Sequence, residues 1–338
     1  MARVNNLTAF LTDVAAAIKE KKGDNTDILA ADFDTEIIGI TTGHLDDEEY
    51  EEANNITDEI LNGVDVMTIY PPDWSEIGYN DTPQFILDAF AYAEKIKQEW
   101  DPNDPKRLSE NDNLVILPLV DITKNTNWYG LFQYCSKLIV IPLLDTSNVT
   151  NMSSLFFNCK SLQTIPLLNT SKVTNMNNMF FNCLSLKTIP LLNTSNVNSV
   201  ASMFNGCSSL TIIPLLDTSN VTNTASMFSG CKSLQTIPLL NTSKVTNMNN
   251  MFSSCSNLKT IPLLNTSNIN SAASMFNGCP LLSDESLNNI LSMCTTATKI
   301  ASSNKTLTYL GLTQAQATTC QSLSNYQAFI DAGWTTGY

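Results

Sequence analysis

Apolar and polar positions follow two different rules along this chain. From Leu114 to Leu282 they recur with a fixed step of 24 residues, and on either side they fall back to the looser spacing of amphipathic helices. Prolines stand at Pro118, Pro142, Pro166, Pro190, Pro214, Pro238 and Pro262, and phenylalanines at Phe132, Phe156, Phe180, Phe204, Phe228, Phe252 and Phe276. Cysteines keep the same step from Cys135 through Cys159, Cys183, Cys207, Cys231 and Cys255 to Cys279. Such a step is the signature of a solenoid, in which one copy cannot enclose a core and buries its apolar side only against its neighbours.

One copy, Leu162–Cys183, reads LQTIPLLNTSKVTNMNNMFFNC. Leu162, Ile165 and Leu167 have the L-x-x-L-x-L spacing of a short strand with its apolar side inward, and Asn169 follows as the turn residue. Thr170 and Ser171 then cap a short helix whose inner side carries Val173, Met176, Phe180 and Cys183 at steps of three and four. Each copy therefore reads strand, turn, short helix, return. Seven copies at the strand spacing of about 4.8 Å stack to about 34 Å, with a parallel sheet on one side and helical segments on the other. Cys159–Phe180 and Cys231–Phe252 are identical letter for letter, so a block of three copies has been duplicated.

The motif D-T-S-N-V-T-N-M-x-x-M-F-x-x-C, read at Asp145–Cys159 (with Leu155 for one Met) and at Asp217–Cys231, resembles the BspA-type leucine-rich repeat of bacterial surface proteins and some phage proteins. The resemblance implies a binding or display surface and no chemistry. The expected fold is an α/β leucine-rich-repeat solenoid of 24-residue repeats with a C-terminal helical cap, preceded by a small, mostly helical N-terminal region. Four segments follow: a docking module at 1–43, an acidic, mainly helical connecting domain at 44–110, the solenoid at 111–282, and the cap at 283–338. In the cap, Ser283 precedes a predicted helix through Leu287, Ile290 and Leu291 to Cys294, and two more helical pieces fall near Thr313–Leu323 and Asn325–Ala332.

At the other end, Leu7, Phe10, Leu11, Val14 and Ile18 have helical spacing, and Gly23 stops that helix. A second helix with Phe33 and Ile37 on its inner side pairs with it. This opening resembles N-terminal segments of tail or fibre proteins of phages infecting Gram-positive bacteria. The resemblance implies that Leu7, Phe10, Leu11, Val14, Ile18, Phe33 and Ile37 dock the chain on a particle. The clearest helix of this half starts at Thr82-Pro83 and carries Phe85, Ile86, Phe90, Ala93, Ile96 and Trp100 on one side.

Charge separates the two halves. Residues 1–110 hold 8 basic and 25 acidic side chains, net −17, whereas 111–338 hold 10 lysines, no arginine and 7 acids, net +3, which together make the −14 of the chain. Neither half has the basic, aromatic-laced patch of a nucleic-acid binder, and phosphate repels the acidic half. No signal peptide is visible, and no run approaches the roughly 18 apolar residues of a membrane span. The cysteine column is expected as buried free thiols, because equivalent Cβ atoms on neighbouring rungs sit about 4.8 Å apart, beyond the usual disulfide range of about 3.5–4.5 Å. No metal site or cofactor is expected: there is no C-x-x-C and a single histidine, His44, in the acidic segment. Catalysis has as little footing, with no nucleophile elbow, P-loop or H-E-x-x-H. Asp145 and Asp217 share their turn column with Asn169 and Asn193, which turn chemistry explains.

Binding is therefore expected on the outward positions of the strands. These are Thr164, Thr188, Ile212, Thr236 and Thr260, beside Leu144, Leu168, Leu192, Leu216, Leu240 and Leu264, with Gln163, Lys187, Thr211, Gln235 and Lys259 at the edge. A rival arrangement turns those leucines inward, because Pro166 and its equivalents cannot donate to a ladder and bend the chain. The whole sequence reads as a non-enzymatic, homo-oligomeric virion protein of tail-fibre type, assembled in the host cytoplasm. Its partners are other tail or baseplate proteins and a host-surface protein or glycan. The alternatives are a bacterial surface adhesin and a purely structural particle protein.

Overall fold

The computed structural model describes Tyr92, Ala93, Lys95, Ile96, Gln98, residues 108–115, Leu117, 125–139, Ile141 and 144–338. The docking positions Leu7, Phe10, Leu11, Val14, Ile18, Phe33 and Ile37 lie outside the described residues. Tyr92–Tyr338 forms one compact unit. Within it Ile96 packs against the core of the repeats, and the Tyr92 hydroxyl donates to Asn111 Oδ1 at 3.0 Å. The segment from Tyr92 onward thus packs with the repeats.

The unit is a repeat solenoid, and its rungs join residue by residue. Parallel bridges run Asn127–Asn151–Asn175–Ser199–Asn223–Asn247–Ser271, each to the equivalent position one rung on. Two expectations fail at the level of elements. No continuous strand and no helix forms within the repeats among the described residues.

The helix is replaced by a run of tight turns. In one rung the N–H groups of Met179, Phe181 and Cys183 close four-residue turns on the carbonyls of Met176, Asn178 and Phe180, at 3.2, 3.1 and 3.1 Å. The intervening N–H groups of Asn178, Phe180 and Asn182 point outward along the stack and donate to Ala201, Met203 and Asn205 of the next rung, at 2.9, 2.9 and 2.7 Å. Half the donors thus serve the rung and half join rungs. This alternation requires left-handed backbone at two positions per rung, which a right-handed helix does not contain. Those positions are filled by the residues that tolerate it: Asn178 and Asn182 at φ 55 and 56, Ser202 and Gly206 at φ 55 and 79, Ser226 and Gly230 at φ 55 and 75.

Burial still follows the apolar letters. Val173, Met176, Phe180 and Cys183 are buried as the spacing predicts, joined by Met179. The phenylalanine column stacks almost face to face from Phe132 to Phe276, with neighbouring ring centroids 5.5 to 5.8 Å apart. Thr170, expected as a helix cap, is buried and sends its hydroxyl to the Asn193 carbonyl of the next rung at 2.8 Å.

One further rung begins earlier than the sequence suggests. Cys135 Sγ donates to the Leu108 carbonyl at 2.8 Å, as Cys159 Sγ donates to the Phe132 carbonyl at 3.0 Å, and Glu110 has the left-handed φ of 59 that Tyr134 repeats at 62. Leu108 therefore stands in the phenylalanine column and Asn111 in the cysteine column; neither letter announces the repeat.

At the far end three helices cover the last rung: α1, Asp284–Thr296; α2, Gln314–Cys320; and α3, Tyr326–Asp331. Ser283 caps α1 by accepting the Ser286 N–H, with Asp284 and Glu285 at the positive end of the helix dipole. Ser286 Oγ then donates to the Lys259 carbonyl at 3.0 Å and accepts the Ile261 N–H at 2.9 Å, so α1 starts where another rung would have continued the hydrogen bonds. Gln316 Nε2 of α2 donates to the Cys279 carbonyl at 2.8 Å, and the Tyr309 and Leu310 carbonyls receive Ser274 and Phe276 N–H.

Candidate interaction surface

The repeats create one surface many times over, set by the segment between the cysteine column and the Asn/Asp turn. Here the inward residues step by three, not two: Leu162, Ile165 and Leu168 are buried, while Pro166 and Leu167 are half-buried. A strand alternates with period two, so the strand reading put Leu167 inside and Leu168 outside. Proline prevents that, because its fixed φ and missing N–H interrupt a ladder. Two residues per rung reach the preceding rung here, as where the Ser185 and Lys187 N–H groups donate to the Lys160 and Gln163 carbonyls at 3.1 and 3.0 Å.

The consequence corrects the expected surface. Leu168, Leu192, Leu216 and Leu240 are core residues, as are Leu144 and Leu264; Leu192 keeps 1% of its surface. Their preceding neighbours face outward instead. Leu167 and Leu191 are half-buried, and Leu215, Leu239 and Leu263 are exposed, Leu239 at 63%. Sequence spacing missed these residues, although the proline directly before each of them was the available signal.

The remaining expected positions do share one strip. Thr164, Lys187, Ile212, Gln235, Thr236, Lys259 and Thr260 are exposed, and Thr188 is half-buried. Thr236 pairs with Thr260 in a parallel bridge, which fixes the register of the strip directly. The surface is thus an apolar ridge, with a threonine and isoleucine column and a lysine and glutamine column on one side. Exposed apolar surface in a contiguous row marks contact sites more often than scattered single residues do.

The far border of the strip is a column of turns. Asn169 Oδ1 accepts the Ser171 N–H at 3.1 Å and the Ser171 hydroxyl at 2.8 Å, and Asp145 and Asp217 accept Ser147 and Ser219 N–H at 3.0 and 2.9 Å. The two aspartates therefore serve as turn acceptors, the role their column predicts. A second such column is self-repairing. Where Ser199 replaces the usual asparagine, Asn177 of the previous rung extends its Oδ1 to the Ser199 hydroxyl at 2.6 Å and the Ala201 N–H at 2.8 Å. Asn249 does the same for Ser271 and Ala273.

Chemistry is muted in the interior. Every cysteine of the column is buried, and each thiol donates to a carbonyl of the preceding rung, as Cys183 Sγ does to Phe156 at 3.1 Å. Burial pushes the thiols up, Cys135 and Cys279 each to about 12, so they stay protonated near neutrality. Among the described residues no group of three or more His, Cys, Asp or Glu could hold a metal ion, and no helix is long and apolar enough to cross a membrane.

Comparison with known proteins gives a family and a set of similar folds. A family model described as "Mycoplasma protein of unknown function, DUF285" matches residues 126–236 and 210–308, together a little over half of the chain. A leucine-rich repeat protein of T. pallidum is 22% identical, with a TM-score of 0.42, over 53% of this chain and 81% of its own. Leucine-rich repeat proteins of Bacteroides ovatus and Eubacterium ventriosum are each 25% identical, with TM-scores of 0.31 and 0.32 over 44% of this chain. The match spans less than half of their length, 43% and 42%. No curated protein matches the chain.

Proposed function

The chain belongs to the DUF285 family, whose description assigns no activity, and from its own surface we propose that it is a non-enzymatic attachment protein of leucine-rich-repeat, BspA-like type. The observation that carries this reading is the ridge of Leu215, Leu239 and Leu263, which stays in water beside Ile212, Thr236, Lys259 and Thr260. Rungs that bury an unbroken core leave this row of leucines unburied, and a partner that covers it gains apolar contact at every rung. Each rung contributes little, and affinity rises when many copies act together. The absence of catalysis is part of the proposal: the aspartates of the repeats are engaged in turns and the thiols are held protonated.

The display site follows from the opening segment, whose likeness to phage tail and fibre proteins supports a virion protein that attaches the particle to its host, docked through Leu7, Phe10, Leu11, Val14, Ile18, Phe33 and Ile37. A bacterial surface adhesin is the second reading, favoured by the repeat motif itself. Purified phage particles and intact bacteria probed with gold-labelled antibody against residues 130–280 separate the two. Label on tail tips or fibres is expected, and label on bacterial cells alone transfers the role to the adhesin. The attachment role is tested by binding of the fluorescently labelled full chain to a panel of bacterial cells. The double variant Leu239→Asn, Leu263→Asn is expected to keep its thermal transition and lose most cell binding; unchanged binding overturns the strip as the contact surface.

A further inference from the structure

A second surface departs from the repeat on the turn segments of the Phe132, Phe156 and Phe180 rungs, where further aromatic side chains stand exposed or half-buried. Tyr129 is 61% exposed and Tyr134 45% exposed. The Tyr134 ring lies 5.4 Å from that of Phe157 at 60°, and Phe157 stacks on Phe181 at 4.6 Å and 6°. Both phenylalanines are half-buried. In the rungs that follow, the column of Phe157 and Phe181 continues as Asn205, Ser229, Ser253 and Asn277, so the aromatic patch is confined to one end.

The backbone at Tyr134 gives an independent reason to look here. It sits at φ 62, in the column that later rungs fill with Asn158, Asn182, Gly206, Gly230 and Ser254. A bulky aromatic residue is disfavoured in left-handed backbone, and it persists only where the surroundings hold it. The fold would be served better by asparagine, the residue of the next two rungs; the ring is retained against local preference.

We propose that Tyr129 and Tyr134, backed by the Phe157–Phe181 pair, form a binding site for a neutral pyranose glycan. Aromatic faces in water attract the apolar C–H faces of sugar rings, and the fringe supplies the polar groups that sugar hydroxyls need. That fringe is Gln133, Asn158 and Asn182, all half-buried, with the exposed Glu110 one rung before Tyr134, its N–H on the Gln133 carbonyl at 2.7 Å. Three uncharged amides beside one carboxylate offer hydrogen bonds to hydroxyls and repel an acidic sugar, which matches a neutral one. The site lies on the turn segments and the leucine ridge on the proline segments, so the two contacts are separable. The inference deepens the attachment reading by naming a ligand class, and it rests on that reading only for its biological purpose.

The test is saturation-transfer difference NMR on the full chain with neutral cello-, chito- and galacto-oligosaccharides as probes. Saturation of sugar ring protons by the wild-type chain is expected with at least one probe. Tyr134→Asn, which installs the residue of the neighbouring rungs, is expected to raise the thermal midpoint and to weaken the response about tenfold, the upper range for a lost aromatic contact. Tyr129→Ala is expected to weaken it with an unchanged midpoint. Leu239→Asn on the ridge is expected to leave it untouched while reducing cell binding, so failure of the ridge and failure of this site are told apart. No saturation with any probe, or a response that survives both tyrosine substitutions, overturns the proposal.

Discussion

Leu191 and Leu192 are chemically identical neighbours with opposite fates, and the difference comes from Pro190. The chain passes the proline with an inward step of three, so Leu192 enters the core with Leu186 and Ile189, and Leu191 stays at the surface. Truncating a buried leucine removes transfer free energy and leaves a cavity, typically about 2–5 kcal/mol. Leu192→Ala is expected to lose that much in urea unfolding, and Leu239→Ala on the ridge to stay within about 0.5 kcal/mol of wild type. Equal losses at the two positions would reverse the inward and outward assignment. At this scale the apolar letters were informative and the period was not: counting by two chose Leu167, whereas the spacing 162, 165, 168 was already present in the sequence beside Pro166. Leu108 was illegible for a different reason, since it fills the phenylalanine column with another residue type and its role appears only through the Cys135 thiol that reaches its carbonyl.

Elements were harder to read than residues. Val173, Met176, Phe180 and Cys183 fit a helical face, and all four are buried, yet the backbone that buries them is a chain of turns. The information that forbids a helix lies in the polar letters between them, the Asn, Ser and Gly columns that repeat at the left-handed positions. Taken singly they look like ordinary surface residues. The cysteine column is the element that most directly couples this backbone to solution conditions. Cys135 and Cys279 are raised from 9.0 to about 12, chiefly by burial, and the thiols between them are raised as well. A thiol raised in the folded state binds its proton more tightly there than in the unfolded chain. Its contribution is complete below about pH 9 and is lost as pH rises toward the folded value. The urea midpoint is therefore expected to be level from pH 7 to 8.5 and to fall steeply from pH 9 to 11. Cys207→Ser keeps a donor for the Phe180 carbonyl without a group that titrates in this range, so its slope is expected to be shallower; a slope identical to wild type would remove the thiols as its cause.

Across the unit Tyr92–Tyr338, rungs meet only their neighbours, and stability is carried by rung interfaces and by two ends that differ from the interior. The helical residues around Ile96 and the Leu108 rung close one end, and α1, α2 and the segment between them close the other through Ser286, Gln316 and Tyr309. Between them the order of rungs is exchangeable, because the columns and not the individual residues carry the hydrogen bonds. The duplicated block sharpens this into a test. Deleting Cys183–Ser254 joins Asn182 to Cys255 and leaves every proline, phenylalanine and cysteine column in phase. That protein is expected to fold cooperatively, with native circular dichroism and a smaller urea m-value, since m follows the surface exposed on unfolding. Stability should fall roughly in proportion to the interfaces lost. Deleting Cys183–Thr242 instead joins Asn182 to Ser243, half a rung out of phase, and puts Ser243, Thr246 and Asn249 at the buried positions of Cys183, Leu186 and Ile189. This second protein is expected to lose its cooperative transition. If both deletions behave alike in the same urea titration, the columns do not determine the fold, and long-range contacts between distant rungs must be sought instead.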